Sequence, residues 1–409
     1  MDKHLTPGHV ICLINPVTVN LSHNILVINC GSSSLKFAVI DPESTQVLIQ
    51  GIAERLNSPD ALLKVQPLGS QAIPYINHAK AMAAILASLG DIPIAGIGHR
   101  VVHGGEFFSA SVLLNEDAVA KIDACRALAP LHNPAHVTGI RAAMENFPEL
   151  PHVAVFDTAF HQTMPPHAYF YALPYDLYKT HQVRRYGFHG TSHRFVAEQA
   201  ATLLDKPFTE LQIITAHLGN GCSACAIKNG QSMDTTMGLT PLEGLAMGTR
   251  SGDVDPNLIQ FLVEQTGRDI RQVTDLLNRD SGLLGLSGLS NDMRTLLEAA
   301  DNGHSRAELA IDVFCYRLAK GILGLAAALD RIDALIFTGG IGENSAPIRA
   351  RTLAHLKVLK PTLDHDLNSA HGRHTAGRIT TTDSALTALV VPTNEELVIA
   401  RETQRLLQP

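Results

Sequence analysis

Residues 24–37 read "NILVINCGSSSLKF", and the fold turns on how this stretch is read. Ile25 to Ile28 make an apolar run of strand character, and Phe37, Val39 and Ile40 begin a second. Between the runs stand a glycine, three serines and Lys36. Glycine and hydroxyls are poor core material, but at a hairpin tip they offer amides and hydroxyl groups to a charged, oxygen-rich ligand, and Lys36 adds positive charge. The same residues are ordinary in a solvated turn. Alone, the stretch leaves phosphate binding and a plain hairpin both open.

Two further segments shift the balance. After the apolar strand "LQIITAH" comes "LGNGCSACAIKNGQSMDTT", again strand, glycine-rich turn and strand, nearly two hundred residues after its counterpart. The echo is one of architecture more than identity, and it suggests two related halves whose glycine turns face one cleft. The third segment, "LIFTGGIGENS", follows the strand Leu335 to Phe337 and enters a helix-like stretch, where free amides suit phosphate or nucleotide. None of the three is a GxxxxGK[ST] or a GxGxxG signature. Three strand-to-glycine transitions in one chain nevertheless favour a nucleotide ligand.

At 409 residues the chain is too long for one ordinary core, so two domains are expected. It is 45% apolar and 17% charged, with a net charge of -7, which gives no basic footprint for nucleic acid. No run of eighteen apolar residues is present, so no membrane span is expected. "MDKHLTPGHVICLINPVTVN" is unlike a secretory signal and reads as part of a peripheral extension, residues 1–23. Six scattered cysteines do not make a disulfide framework, and the expected compartment is the cytoplasm. Cys222 and Cys225 have CxxC spacing without a second pair, which argues against zinc or redox use.

Alternating strand and helix signals indicate an α/β protein. Helices are expected over 78–89, stopped by Gly90, and over 116–128, capped by Asn115. Another is expected from Asp255 and Pro256 to Gly267, together with a long apolar helix, "SRAELAIDVFCYRLAKGILGLAAALD", buried nearly all round. Dense polar clusters lie between the glycine turns: "GHRVVHGGE" with Arg100, "APLHNPAH" with His132, "VAVFDTAFHQT" with Asp157, "RRYGFHGTSHR" with His189 and "MGTRSGDVDP" with Arg250. Open α/β sheets place ligands just past strand ends, where several of these fall. The spacings His99/His103 and His189/His193 lack the glutamate and helical setting of a metal motif. Near the C-terminus, "PTNEELVIARET" gives Thr393 and Glu396 capping-box spacing, leaving Glu395 free to join Asn29 in holding a magnesium ion.

Taken together, "INCGSSSLKF", "GHRVVHGGE", "APLHNPAH", "VAVFDTAFHQTMP", "RRYGFHGTSHR", "HLGNGCS", "TPLEGLAMGTRSGDVDP", "FTGGIGENS" and "PTNEELVIARET" run from about residue 24 to the C-terminus in the order of the acetate and propionate kinase family, which the chain resembles. The resemblance implies a two-domain actin-like, sugar-kinase fold with a duplicated βββαβαβα core. Residues 24–158 plus 394–409 would form one domain and 159–393 the nucleotide-binding and dimerisation domain of a homodimer. It implies reversible transfer of the ATP γ-phosphoryl group to acetate, with Mg²⁺ (Mn²⁺ as an alternative) held at Asn29 and Glu395. Around ATP it places Ser32, Ser34, Lys36 and His132; His217, Leu218, Gly219, Asn220 and Gly221; Asp292, Met293 and Arg294; and Gly339, Gly340, Ile341, Gly342 and Glu343. Arg100 would contact the acyl substrate, Arg250 and His189 the phosphoryl group in flight, and Asp157 would match the family's catalytic acid. An acetate is already ionised near neutral pH, so Asp157 is expected to orient a cation and not to move a proton. Val102, Leu131, Phe188 and Pro241 match the acyl pocket, and valine at 102, where propionate-preferring relatives tend to have alanine, favours acetate. Cys30 and Asn291 depart from the alanine and serine common in the family. Rival readings are a propionate kinase, a sugar kinase, which needs a base for a hydroxyl, and a nucleotide-switched actin-like module, which leaves Arg100, Arg250 and His189 without a task.

Overall fold

The computed structural model describes residues 23–408, residue 131 excepted. The expected extension up to residue 22 and the expected pocket residue Leu131 therefore lie outside the described residues. Among the described residues, thirteen strands form two sheets. The first contains β1 (Ile25–Cys30), β2 (Ser34–Ile40), β3 (Val47–Glu54), β4 (Leu62–Gln66), β5 (Gly69–Ala72), β6 (Gly96–Val101), β7 (Val112–Leu113) and β8 (His152–Phe156). The second contains β9 (Gln212–Leu218), β10 (Cys222–Lys228), β11 (Gln231–Thr235), β12 (Ala334–Thr338) and β13 (Ala388–Val390).

Their orders, β5-β4-β3-β2-β1-β6-β8-β7 and β11-β10-β9-β12-β13, contain the same five-strand unit twice. In each unit the first three strands are antiparallel, and the fourth and fifth run parallel to the first. The internal echo read from the glycine turns is thus a duplicated topology. In both units the turn is short. The β1/β2 register closes at Cys30↔Leu35, with Gly31 N–H donating to the Ser34 carbonyl at 2.7 Å. The β9/β10 register closes at Leu218↔Cys222, with Gly219 N–H donating to the Gly221 carbonyl at 3.0 Å.

Strand β1 is apolar on both faces because both are covered. Leu26 and Ile28 pack in a core with Met82 and Ile85 of the helix His78–Leu89. Ile25 and Val27 pack with Leu397, Ile399 and Ala400 of the helix Glu395–Leu407. That last helix returns the chain from the second sheet to the first. It lies so close to β6 that a Cβ on Gly98 would sit 2.5 Å from Thr403 Oγ1 and 2.6 Å from Ile399 Cγ2. Only glycine fits there without displacing the helix.

Several sequence expectations need adjustment. The helix at residue 116 ends at Ala124 and continues as a 3₁₀ turn, Cys125–Ala127. Asp255 accepts from Asn257 N–H at 2.9 Å, but the helix begins at Asn257, after Pro256. The helix Ser305–Leu325 buries one stripe (Ala307, Ile311, Phe314, Leu318, Ile322) and leaves Leu309 and Tyr316 exposed, so it is not buried all round. Cys222 and Cys225 face opposite sides of β10 and enter different cores, so the CxxC pair cannot share a ligand. No helix among the described residues is long and apolar enough to cross a membrane.

Candidate active site

Arg100 projects from β6, and Asp157 follows the neighbouring strand β8. The parallel register sets Val101 against Phe156 and brings their side chains together. Arg100 Nε donates to Asp157 Oδ1 at 3.1 Å and Nη2 to Oδ2 at 2.7 Å, a fork that engages both carboxylate oxygens. Burial raises the Asp157 carboxyl and the guanidinium lowers it, while the carboxylate raises Arg100. The fork is the geometry of a guanidinium–carboxylate pair.

From Asp157 the backbone leads to the second cluster, since Gly190 N–H donates to the Asp157 carbonyl at 2.9 Å. His189 precedes the helix Gly190–Leu203 at φ +57°, a left-handed conformation unusual for a non-glycine residue. Its Nδ1 lies 2.8 Å from Ser223 Oγ on β10, and its ring stacks on His217 of β9 with centroids 4.3 Å apart. Burial, then neighbouring histidines and arginines, holds His189 well below the usual histidine range, so the ring is neutral. His217 Nδ1 lies 2.8 Å from Ser192 Oγ, which in turn donates to Thr393 Oγ1 at 2.8 Å.

Arg250 comes from the loop after β11 and donates from Nη1 to the Pro241 carbonyl at 3.1 Å. A Cβ on Gly221 would stand 3.3 Å from that Nη1 and 3.5 Å from His189 Nε2, so the second glycine hairpin, Arg250 and His189 meet at one place. His132 and His136 stand near the two arginines without charge of their own. Burial first, then the nearby arginines, brings them down to about 4 and about 3.

A cleft of about 440 Å³ is lined by Asn29, Lys36, Arg100, His217, Gly339, Gly340, Glu343, Thr393, Glu395 and Glu396. Through Gly340 it adjoins a larger cavity of about 630 Å³ lined by Gly219, Asn220, Asp292, Met293, Arg294, Ile341 and Asn344 among others. The first offers Lys36 and Arg100 to phosphates, beside the carboxylates of Glu395 and Glu396. The second, with more apolar lining and Asp292 capping the helix Met293–Asp301, has the size for a nucleoside. Asn291, the departure noted above, donates to Asn220 Oδ1 at 2.9 Å.

Other expected residues sit differently. Leu218 and Gly342 are buried behind the cleft, where the Leu218 side chain belongs to the core. Glu343 braces the site: its Oε1 accepts from Gly339 N–H at 2.9 Å and Thr393 N–H at 3.0 Å. Ser32 is exposed at the hairpin tip and Ser34 half-buried beside it. Val102 and Phe188 share one apolar core. The capping-box reading of Thr393 and Glu396 is overturned. Asn394 caps the last helix through Leu397 N–H, which frees Glu396 to face the cleft, where burial raises its carboxyl, Lys36 partly offsets this and Glu395 adds to it.

Asn29 and Glu395 offer an amide oxygen and a carboxylate to the same cleft. Magnesium is held by one or two protein oxygens plus water and phosphate, and this donor set suits it. Missed from sequence were Ser192, Thr215 and Ser223, hydroxyls whose partners come from other strands. The recurrence of Ser beside His in "GTSH" and after glycine in "GNGCS" was the available signal.

A twice-used sheet with glycine hairpins edging a polar cleft is the actin-like, sugar-kinase architecture of phosphotransferases. The Acetokinase family model matches residues 24–401, and the chain belongs to that family. A relative from Stutzerimonas stutzeri, named acetate kinase, is 55% identical over 392 residues, covering 94% of this chain and 99% of the relative. Among solved structures, a propionate kinase from Francisella tularensis superposes with TM-score 0.89 at 46% identity, covering 94% of this chain and 99% of that one. An acetate kinase from Porphyromonas gingivalis gives 0.88 at 43% identity, covering 94% and 100%.

Proposed function

We propose that this chain is an acetate kinase, transferring the γ-phosphoryl group of ATP to acetate and giving acetyl phosphate and ADP, reversibly. The observation that carries the reading is the meeting of Arg250 and His189 at Gly221, with the buried Arg100–Asp157 fork on the facing sheet. An acetate oxygen attacks Pγ, and the bond from Pγ to the β-phosphate oxygen breaks, its electron pair leaving with ADP. No proton has to move, so alignment and charge neutralisation are the main demands.

Arg100, held by Asp157, aligns the carboxylate. Arg250 and His189 stabilise the equatorial oxygens of the phosphoryl group. The loops around Gly219–Gly221 and Gly339–Ile341, with Asp292 to Arg294, hold the nucleotide, and Ser32, Ser34 and Lys36 approach its phosphates. Mg²⁺ at Asn29 and Glu395 would neutralise phosphate charge. Val102, Phe188 and Pro241 bound the acyl group, and the bulk of valine at 102 supports acetate over propionate, the substrate suggested by the name of the Francisella tularensis neighbour.

The partition into 24–158 plus 394–409 and 159–393 is part of the proposal, as are a cytoplasmic location and a homodimer. The exposed Leu309 and Tyr316 on a second-domain helix support the dimer.

The test is trapping of acyl phosphate with hydroxylamine, using ATP, Mg²⁺ and acids from formate to butyrate. A maximum at acetate, lost in Arg100→Ala and Arg250→Ala, supports the reading. A maximum at propionate retains the chemistry and overturns the pocket argument. No acyl phosphate from folded, ATP-binding protein overturns the reading.

A further inference from the structure

His189 can stabilise an anionic phosphoryl oxygen only by presenting a hydrogen, because that oxygen is an acceptor. Its ring is neutral, so either Nδ1 or Nε2 carries the proton, and the partner at Nδ1 decides which. That partner is Ser223 Oγ at 2.8 Å. The same hydroxyl lies 2.8 Å from His193 Nε2, and His193 Nδ1 lies 2.7 Å from Thr215 Oγ1. Ser223, His193 and Thr215 are completely buried, so no water competes for these contacts.

Resting on the proposed role of His189, we propose that Thr215, His193 and Ser223 form a one-way hydrogen-bond relay that fixes His189 as its Nε2–H tautomer. Thr215 O–H donates to His193 Nδ1, His193 Nε2–H donates to Ser223 Oγ, and Ser223 O–H donates to His189 Nδ1. The hydrogen of His189 is then left on Nε2, the nitrogen beside Gly221 and Arg250. The opposite polarity aims a lone pair at the phosphoryl oxygens. It also depends on Thr215 O–H reaching the Cys225 carbonyl, at 3.5 Å the longest link in the chain. Ser223, His193 and Thr215 are positioning residues: they touch no substrate and act through His189.

The relay is tested on the full chain labelled with ¹⁵N-histidine, reading the His189 tautomer from long-range ¹H–¹⁵N correlations, with His189→Asn giving the assignment. The expected native pattern is a protonated Nε2 and an unprotonated Nδ1. In Ser223→Ala the two nitrogens move toward an averaged pattern. There kcat falls about 10- to 100-fold, less than or comparable to deleting an oxyanion donor outright, while KM for acetate and ATP stays within a few-fold. His193→Gln keeps an amide donor facing Ser223 and recovers most of the rate; His193→Leu does not.

A native tautomer pattern in Ser223→Ala overturns the relay, as does native kcat in that variant when His189→Asn is slow. Native kcat in His189→Asn overturns the catalytic reading of His189, and the relay with it, so the two failures are distinguishable.

Discussion

Asp157→Asn separates orientation from proton transfer. In the native pair, Oδ1 and Oδ2 accept from Arg100 Nε at 3.1 Å and Nη2 at 2.7 Å. Asparagine keeps one acceptor and turns an N–H₂ toward the other guanidinium N–H, so one charge-assisted bond and the net attraction are lost. Hydrogen bonds to charged groups contribute about 1.5–3 kcal/mol, and breaking a buried ion pair costs about 3–5 kcal/mol. The Arg100 side chain is 22% exposed to the cleft, so solvent recovers part of that, and a stability loss of about 2–3 kcal/mol is expected. A carboxylate-aligning arginine displaced by about 1 Å costs on the order of 100-fold in rate.

The assay is kcat/KM for acetate at saturating ATP from pH 5 to 8, with urea unfolding as the stability check. The expected result is a loss of about 100-fold at neutral pH, with no solvent deuterium isotope effect on kcat in either protein. A general base would behave differently. Burial lifts the Asp157 carboxyl and Arg100 pulls it down, so either role leaves an acidic limb in the native profile that vanishes in Asp157→Asn, but only a base moves a proton in the chemical step. Protonation of acetate adds a limb to both proteins and cancels in the comparison. A solvent deuterium isotope effect on kcat in the native enzyme that disappears in Asp157→Asn refutes the orienting role.

Val102→Ala opens the acyl pocket by two methyl groups, and the propionate-to-acetate ratio of kcat/KM is expected to rise about 10-fold, given about 1–3 kcal/mol per methylene; an unchanged ratio in the hydroxamate assay removes Val102 from the pocket. Gly98→Ala drives a Cβ into Thr403 and Ile399 and is expected to cost about 1–3 kcal/mol by overpacking, read as a lowered urea midpoint; a native midpoint shows that the last helix is not seated against β6 as described. Acid lability is the third. Burial brings His103, His132 and His161 to about 4 and His136 to about 3, against about 6.5 when unfolded. The unfolded chain therefore binds more protons between those values: their contribution to stability is complete above about 6.5 and falls with pH by up to about 1.4 kcal/mol per unit per histidine. Urea midpoints that do not fall from pH 7 to 5.5 contradict it.

What the sequence could disclose depended on whether a residue's task was local. A glycine hairpin leaves its mark in a few consecutive letters, and so does an N-cap such as Asn115, whose side chain accepts from Ala118 N–H. The duplicated topology was legible for the same reason, because each copy carries its own strand–turn–strand. The helix Ser305–Leu325 misled because an apolar composition does not say which face meets the sheet. Thr393 and Glu396 misled because capping-box spacing is satisfied equally well by a glutamate that turns to a cleft built from another part of the chain.

The relay residues were the hardest to see. Thr215 and Ser223 occupy inward positions on adjacent strands of an antiparallel pair, where a serine or threonine among Ile, Ala and Cys reads as a tolerated small residue. Only the fold brings both hydroxyls to His193 and one of them to His189. A buried hydroxyl costs free energy unless it is hydrogen-bonded. Here two hydroxyls meet two imidazoles with no water between them, and each can be satisfied only if the others point the same way. That mutual constraint would give His189 a defined tautomer before substrate arrives, so no reorganisation is required at the moment the phosphoryl charge develops.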